Sequence, residues 1–224
     1  MKTKRRSFFI GIAFVIAFVF WTVLIQIIDV QNIGVKGTSV GFATINSWFH
    51  SLTGVNMTLY SITDWLGLVP IFVCMFFGVI GLVQLLKRKS LMKVDFDIII
   101  LGIYYVIVIL CYLIFEMIPI NYRPILINGF MEASYPSSTT LLVMSVMPTL
   151  AFQVKRRLKS QKLIIIINSI TAIFLIFVII GRLISGVHWL TDIIGSVFLS
   201  AGLFYVYQGV VLMRESKGDS YGIR

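Results

Sequence analysis

Two arginines and a histidine–aspartate pair are the residues of this sequence best suited to carry out chemistry. His188 and Asp192 are four residues apart, so on a helix they lie on the same face. A carboxylate in that position can accept a proton from one imidazole nitrogen and leave the other free to act as a base or nucleophile. Arg182 comes shortly before the pair, and Arg123 lies further upstream. Because a planar guanidinium suits phosphate oxygens, the set is typical of a phosphate site.

The composition indicates what kind of scaffold must position these residues. Of the 224 residues, 58% are hydrophobic and only 12% are charged. A soluble domain carries about twice that charged fraction, and a disordered chain would have low hydrophobicity. The mean hydropathy of +0.98 therefore predicts an integral membrane protein.

Six charge-free stretches of 18 residues or more are long enough to cross the hydrocarbon core as helices. From them we predict spans at about residues 7–28, 65–86, 98–118, 137–154, 163–181 and 190–213. Continuous apolar runs fit helices better than a transmembrane barrel, whose strands alternate in polarity. The first run, of 22 residues, is longer than the apolar core of a cleavable signal peptide. The prediction is an all-α polytopic membrane protein, with six transmembrane helices in one bundle and a single domain over residues 1–224.

The basic residues predict how the bundle is oriented. Sixteen of the 19 Lys and Arg fall at alternating ends of successive spans, in clusters at residues 2–6, 87–93, 155–162 and 214–224. The opposite ends hold only Lys36, Arg123 and Arg182. The positive-inside rule then places both termini in the cytoplasm and His188 outside the cell. We expect a bacterial plasma membrane, although an endomembrane would give the same pattern. The net charge of +10 is explained by topology and anionic headgroups, so no nucleic-acid partner is expected.

The first outer segment, residues 29–64, mixes aromatic and aliphatic side chains with Ser, Thr, Asn and Gly. This mixture predicts short helices that lie at the level of the lipid headgroups. Such helices could form a lid that only covers the bundle, or a lateral gate for a lipid substrate.

Each candidate residue also has a simpler interpretation. Arg182 could anchor the chain among headgroups, His188 could be a satisfied interfacial histidine, and Asp192 could complement the dipole of a helix start. Their gathering with Arg123 on one face of a membrane bundle favours a functional site, because ionisable residues at such positions are costly to keep.

At these residues the sequence resembles the type-2 phosphatidic acid phosphatase and acid haloperoxidase superfamily, in its membrane lipid phosphatase branch. Three motifs characterise that family: K-x6-R-P, P-S-G-H and S-R-x5-H-x3-D. The third motif is matched at Arg182, His188 and Asp192. The first two are matched in part, by Arg123-Pro124 and Pro136-Ser137. Motif order and topology also agree, so the resemblance extends over nearly the whole chain.

The resemblance implies a lipid phosphatase that works through a phosphohistidine. His188 would be the nucleophile and Asp192 would orient it. The phosphate would be bound by two arginines and two serines, Arg123, Arg182, Ser137 and Ser138. No metal ion or organic cofactor is implied. The partner would be a membrane lipid substrate, either phosphatidate, phosphatidylglycerophosphate or a prenyl diphosphate such as undecaprenyl diphosphate, with its tail in the bilayer.

Four positions depart from the family motifs. Glu116 replaces the first-motif lysine, and Gly181 replaces the third-motif serine. Ser138 and Thr139 replace the glycine and histidine of the second motif. Loss of that histidine removes a proton donor, a group typically worth about 10²–10⁴-fold in rate. Glu116 would supply the proton if partial burial kept it protonated, and His50 is another possible substitute.

Three outcomes are compatible with these departures. The protein could be an active phosphatase on a substrate with a good leaving group, such as a prenyl diphosphate, for which the lost acid matters little. It could be a catalytically impaired family member that binds phosphorylated lipid headgroups without turnover. Its outer polar cluster could also do no more than stabilise the loops.

Overall fold

The fold is built from helices throughout the described part of the chain. A computed structural model describes the backbone of residues 2–220 and the side chains of residues 5–214. Met1 and residues 221–224 lie outside the described residues. They belong to the predicted single domain and to the termini predicted to be cytoplasmic. The eight α-helices are α1 Lys2–Ile27, α2 Ala43–Thr53, α3 Met57–Leu66, α4 Leu68–Arg88, α5 Phe96–Met117, α6 Ser138–Arg157, α7 Gln161–Ile184 and α8 Leu190–Ser220.

Within residues 2–220, five helical stretches are long and apolar enough to cross a membrane. They are Arg5–Ile27, Met57–Arg88, Phe96–Met117, Gln161–Ile184 and Leu190–Arg214. Each lies at one of the six predicted spans, and the second begins earlier than predicted because it includes α3. The protein is therefore an all-helical, multi-pass membrane protein.

The count of six spans is not confirmed, because α6 at the predicted span 137–154 is too polar to meet the same hydropathy criterion. It packs against four neighbours, α4, α5, α7 and α8, and two of its polar side chains form hydrogen bonds to them. The hydroxyl of Tyr105 lies 2.7 Å from that of Thr149, and Gln153 donates to the hydroxyl of Tyr207 at 2.7 Å. A helix enclosed by other helices need not be apolar, since its polar groups are satisfied within the protein.

Helices α1 and α8 run antiparallel and approach each other closely at small residues. A Cβ atom at Gly202 would lie 2.8 Å from Cγ2 of Val15, and one at Gly11 would lie 2.5 Å from the backbone nitrogen of Val206. Only glycine permits this separation, as is common where membrane helices pack backbone to backbone. The contact joins the first helix to the last.

One end of the bundle is held by ion pairs between the predicted basic clusters and the start of α5. Arg88 donates to Oδ1 of Asp95 at 2.7 Å, and Arg157 donates to Oδ2 of Asp97 at 2.7 Å. These contacts bring together the C-terminal ends of α4 and α6 and the N-terminal end of α5. We call this the basic end, and the opposite end the site end.

At the site end, α2 and α3 are the short helices predicted for the first outer segment. Asn46 of α2 donates to the hydroxyl of Thr191 at 3.0 Å. Helix α3 packs against α7, where a Cβ at Gly181 would lie only 2.6 Å from Cγ2 of Thr63. The family serine at position 181 is thus replaced by a glycine where α3 lies tightly on α7.

Candidate active site

The imidazole of His188 is buried in the loop between α7 and α8 and is held in one tautomer. Its Nδ1 lies 3.1 Å from the carbonyl oxygen of Ser134. A carbonyl only accepts hydrogen bonds, so Nδ1 carries the hydrogen and Nε2 keeps a free lone pair. Nη2 of Arg182 lies 3.2 Å from that Nε2. The nitrogen with the lone pair therefore faces a guanidinium, the group that would hold a phosphate.

Asp192 lies behind the imidazole, but the direct hydrogen bond expected from the i, i+4 spacing is not formed. Its Oδ2 is 3.9 Å from Nδ1 of His188. Ser134 connects the two groups, because its hydroxyl lies 3.1 Å from Nδ1 and donates to Oδ2 of Asp192 at 2.5 Å. The carboxylate also accepts from the backbone nitrogen of Trp189 and from Asn121. It is fully buried and fixed by three donors.

The two arginines meet against one aromatic ring. The guanidinium carbons of Arg182 and Arg123 lie 4.8 Å and 5.7 Å from the ring centroid of Tyr60 in α3. The sequence separates these arginines by more than 50 residues, yet both sit beside His188, as the resemblance requires. Arg123, Arg182 and His188 are therefore brought together at the site end.

Acidic side chains only partly neutralise these arginines. Oδ1 of Asp64 lies 3.5 Å from Nη1 of Arg182, and the Asp64 side chain is 56% exposed. Glu132 lies 3.1 Å from Nε of Arg123 but without the alignment of a hydrogen bond. Nη1 of Arg123 and Nε of Arg182 are buried and have no hydrogen-bond partner among the described side chains. Buried donors are normally paired, so these atoms are suited to bind an anion.

Burial and charge make His188 a neutral base. Burial of the ring, together with the positive charges of Arg123 and Arg182, holds the pKa of His188 well below its usual value of 6.5. The hydrogen bond to the backbone of Ser134 opposes this shift only in part. At neutral pH the imidazole is therefore uncharged, which is the form that can attack phosphorus.

The second-motif residues form the start of α6. Ser137 is the N-cap, and its hydroxyl lies 3.1 Å from that of Thr140. The first backbone N–H groups of a helix have no partner within it, so the N–H groups at Ser138 and Thr139 belong to a terminus suited to an anion. The predicted phosphate-binding role of Ser137 and Ser138 stays a prediction. The Thr139 side chain is buried and borders a largely apolar cavity.

Neither substitute proton donor suggested by the sequence has the surroundings that were expected. Glu116, expected to be partly buried, is exposed at the last turn of α5. It lines a cavity of only about 10 Å³, together with Pro136 and Ser138. His50 places its Nε2 3.1 Å from the carbonyl oxygen of Gly186, so it fastens α2 to the loop that carries His188. The partial burial expected of Glu116 was wrong, because the last turn of α5 points out of the bundle.

An apolar groove leads from the site along α4 and α5. A cavity of about 480 Å³ has Asp64, Ser138 and Thr139 at its polar end, and is otherwise lined by apolar side chains of α4, α5 and α6. A second cavity, of about 650 Å³, shares Cys74 and Tyr105 with the first and continues between α4 and α5. We refer to the two together as the apolar groove.

Sequence reasoning missed four residues of this site: Ser134, Asn121, Tyr60 and Asp64. Ser134 and Asn121 lie in the α5–α6 loop, and no motif marks them. A weak signal existed for Asp64, because it is one of few acidic residues on the side of the membrane that holds Arg123 and Arg182. Tyr60 lies four residues before it, on the same face of α3.

The chain belongs to the PAP2 superfamily, whose sequence model matches residues 71–215. This confirms the family resemblance drawn from the motifs. In fold, the chain is similar to the crystal structure of a transmembrane PAP2-type phosphatidylglycerolphosphate phosphatase from Bacillus subtilis. The TM-score is 0.62 at 17% sequence identity, and the match covers 96% of this chain and 98% of that chain. A comparison with curated proteins finds no significant match.

Proposed function

We propose that the protein is a membrane lipid phosphatase that transfers the phosphoryl group of a lipid phosphate or diphosphate to His188 and then to water. The observation that carries this proposal is the 3.2 Å contact between Nε2 of His188 and the guanidinium of Arg182. A phosphate bound by that guanidinium would have its phosphorus next to the lone pair of the nucleophile. Arg123 would hold a further oxygen through its unpaired donors. The backbone at Ser138 would complete the anion site.

Asp192 and Ser134 would support the nucleophile from behind. Attack by Nε2 leaves positive charge on the ring of His188. The carboxylate 3.9 Å from Nδ1 stabilises that charge, while the carbonyl of Ser134 keeps the ring in its orientation. Water then attacks the phosphohistidine and regenerates the free imidazole.

The apolar groove would hold the lipid tail. It starts beside Thr139 and is lined on α4 from Leu68 to Leu85, a length of about 25 Å at 1.5 Å per residue. A leaflet is only half of the roughly 30 Å hydrocarbon core, so the groove is longer than the tails of a phospholipid require. This length, together with the absence of a histidine at position 139, favours a long-chain prenyl diphosphate over phosphatidate or phosphatidylglycerophosphate.

The orientation of the bundle follows from the same proposal. The basic end would lie in the cytoplasm of a bacterial plasma membrane, with both termini on that side, and the site end would face outside. Helices α2 and α3 would then lie over the lipid headgroups, and α3 would form one wall of the phosphate site through Tyr60.

Phosphate trapping on histidine tests this function, because the chain has only two histidines, His188 and His50. Purified wild-type protein is mixed with lipids labelled in the terminal phosphate, quenched within one turnover, and examined for acid-labile phosphohistidine. We expect label and phosphate release from at least one lipid among phosphatidate, phosphatidylglycerophosphate and undecaprenyl diphosphate. His188→Ala should abolish both. The matched control, His50→Gln, should retain the label, because His50 lies outside the reacting groups.

A second candidate function is the binding of phosphorylated headgroups without turnover. It is favoured by one observation, the threonine at position 139, which cannot donate a proton as a histidine would. The same lipid panel separates the two functions. Saturable binding that depends on Arg182, with no label and no phosphate release from any lipid, would support the binding function and contradict the phosphatase.

A further inference from the structure

The bond that breaks in the proposed reaction joins phosphorus to the oxygen on the lipid side. A group that protonates this oxygen must therefore lie where the phosphate site meets the apolar groove. Asp64 lies at that junction, because its carboxylate contacts Arg182 and it also lines the groove beside Ser138 and Thr139. Ser138 and Thr139 are aliphatic alcohols and are poor acids.

The other carboxyl groups of the site end are placed differently. Asp192 lies behind His188 and is held by three donors, so it faces away from the leaving oxygen. Glu132 is paired with Arg123. Glu116 is exposed and borders a separate cavity too small for a substrate. Among the described carboxyl groups, Asp64 is the one that contacts a site arginine and also lines the groove.

We propose that Asp64 is the general acid of this site, an inference that rests on the proposed phosphatase function. The packing of α3 positions its backbone. Thr63, the preceding residue, is fully buried against Gly181, and the backbone at Gly67 approaches Thr139 so closely that a Cβ there would lie 3.3 Å from the threonine methyl. Thr139 therefore lies against the turn that ends α3. The Asp64 side chain itself is half exposed and can move.

Substrate binding would convert Asp64 from a counterion into an acid. In the free protein its carboxylate is paired with Arg182 at 3.5 Å, a loose contact that a phosphate dianion can displace. The carboxyl group then loses its positive partner and faces a like charge. The Asp64 carboxyl group is then free to carry a proton taken from solvent to the leaving oxygen.

The proton balance of the reaction is then complete. As the bond between Nε2 of His188 and phosphorus forms, the bond from phosphorus to the lipid oxygen breaks, and protonated Asp64 transfers its proton to that oxygen. The products are a lipid alcohol or lipid monophosphate, the phosphohistidine and an Asp64 carboxylate. Water next attacks the phosphohistidine and gives one proton to Asp64, which releases inorganic phosphate and restores the acid.

The dependence on the leaving group tests this role. Asp64→Asn is compared with wild type on a prenyl monophosphate, whose leaving group is an alkoxide, and on p-nitrophenyl phosphate, whose leaving group needs no proton. We expect kcat to fall by about 10²–10⁴-fold on the monophosphate. On p-nitrophenyl phosphate the fall should be less than about tenfold, and this retained turnover also shows that the variant is folded. A purely structural role would lower both rates by the same factor.

Glu132→Gln is the matched control, because it removes an acidic partner from the other arginine. It should slow both substrates to a similar extent. Equal losses on both substrates in Asp64→Asn would overturn the assignment and leave the proposed function intact. The assignment would also be overturned if Glu116→Gln lowered kcat on the monophosphate alone and Asp64→Asn did not. Wild-type protein that turns over no substrate would overturn the proposed function and this inference with it.

Discussion

Replacing Asp192 by asparagine removes a negative charge behind the proposed nucleophile while keeping the size of the side chain. The carboxylate lies 3.9 Å from Nδ1 of His188 and is fully buried. When Nε2 attacks phosphorus, the ring becomes positively charged and interacts with that carboxylate. At an effective dielectric constant of about 20, two unit charges at this distance attract each other by about 4 kcal/mol. Because each 1.4 kcal/mol is tenfold in rate, we expect Asp192→Asn to lower kcat by about 10³-fold.

The assay for this prediction is the rate of phosphohistidine formation in a single turnover, measured in detergent micelles with excess protein. Thermal unfolding of the same samples shows whether the variant is folded. We expect a loss of about 1–3 kcal/mol in stability, because one of the three donors to the buried carboxylate loses a good acceptor. That cost lowers the unfolding temperature without abolishing the fold.

Ser134→Ala is the control that separates the effect of the Asp192 charge on the rate from the effect of its hydrogen bond to Ser134. It removes the hydroxyl between Asp192 and His188 but keeps the carboxylate, and also the backbone carbonyl that fixes the tautomer. A hydrogen bond to a charged group contributes about 1.5–3 kcal/mol, so we expect a loss of about 10–100-fold, smaller than for Asp192→Asn. Asp192→Asn within tenfold of wild type would refute the electrostatic role. Equal losses in the two variants would show that the serine link, rather than the charge, is what matters.

Three further predictions concern the nucleophile, the packing of α3 and the apolar groove. Because the pKa of His188 is held well below 6.5, its imidazole should stay neutral as the pH falls from about 7.5 to 6.0. An NMR titration of the His188 ring with a midpoint near 6.5 would contradict this. Gly181→Ala should destabilise the protein by about 1–3 kcal/mol in thermal unfolding, because the new Cβ overlaps Cγ2 of Thr63. Adding Thr63→Ser to this variant should restore part of the lost stability. Unchanged stability in Gly181→Ala would refute the close contact. Gly78→Leu or Gly102→Leu should fold, since an added Cβ at either position meets no atom within 4 Å. Either variant should lower the ratio of kcat/KM for a long-chain substrate to that for a short-chain substrate by about tenfold, because both positions line the apolar groove. An unchanged ratio would show that the tail lies elsewhere.

Two of the four departures from the family motifs lie against α3 or the turn that ends it. Gly181 stands where the family has serine because Thr63 occupies the space of a side chain. Thr139 stands where the family has histidine, against the turn at Gly67. Position 181 contacts α3 and position 139 contacts the turn that ends α3, and α3 also brings Tyr60 and Asp64 to the arginines.

The membrane class, the all-helical fold and the residues of the third motif could be predicted from the chain alone, because they depend on local composition and on spacing within a few helical turns. The six-span count could not be confirmed, since α6 is polar and owes its place to the helices around it. Ser134 and Tyr60 carry no local signal and Asp64 only a weak one, because the partner side chain of each lies more than 50 positions away in the sequence. The exposure of Glu116 also depends on where the last turn of α5 points. Hydropathy and motif spacing thus specify which residues this protein brings to its site, whereas the packing of α3 and of the α5–α6 loop determines which charges face one another there.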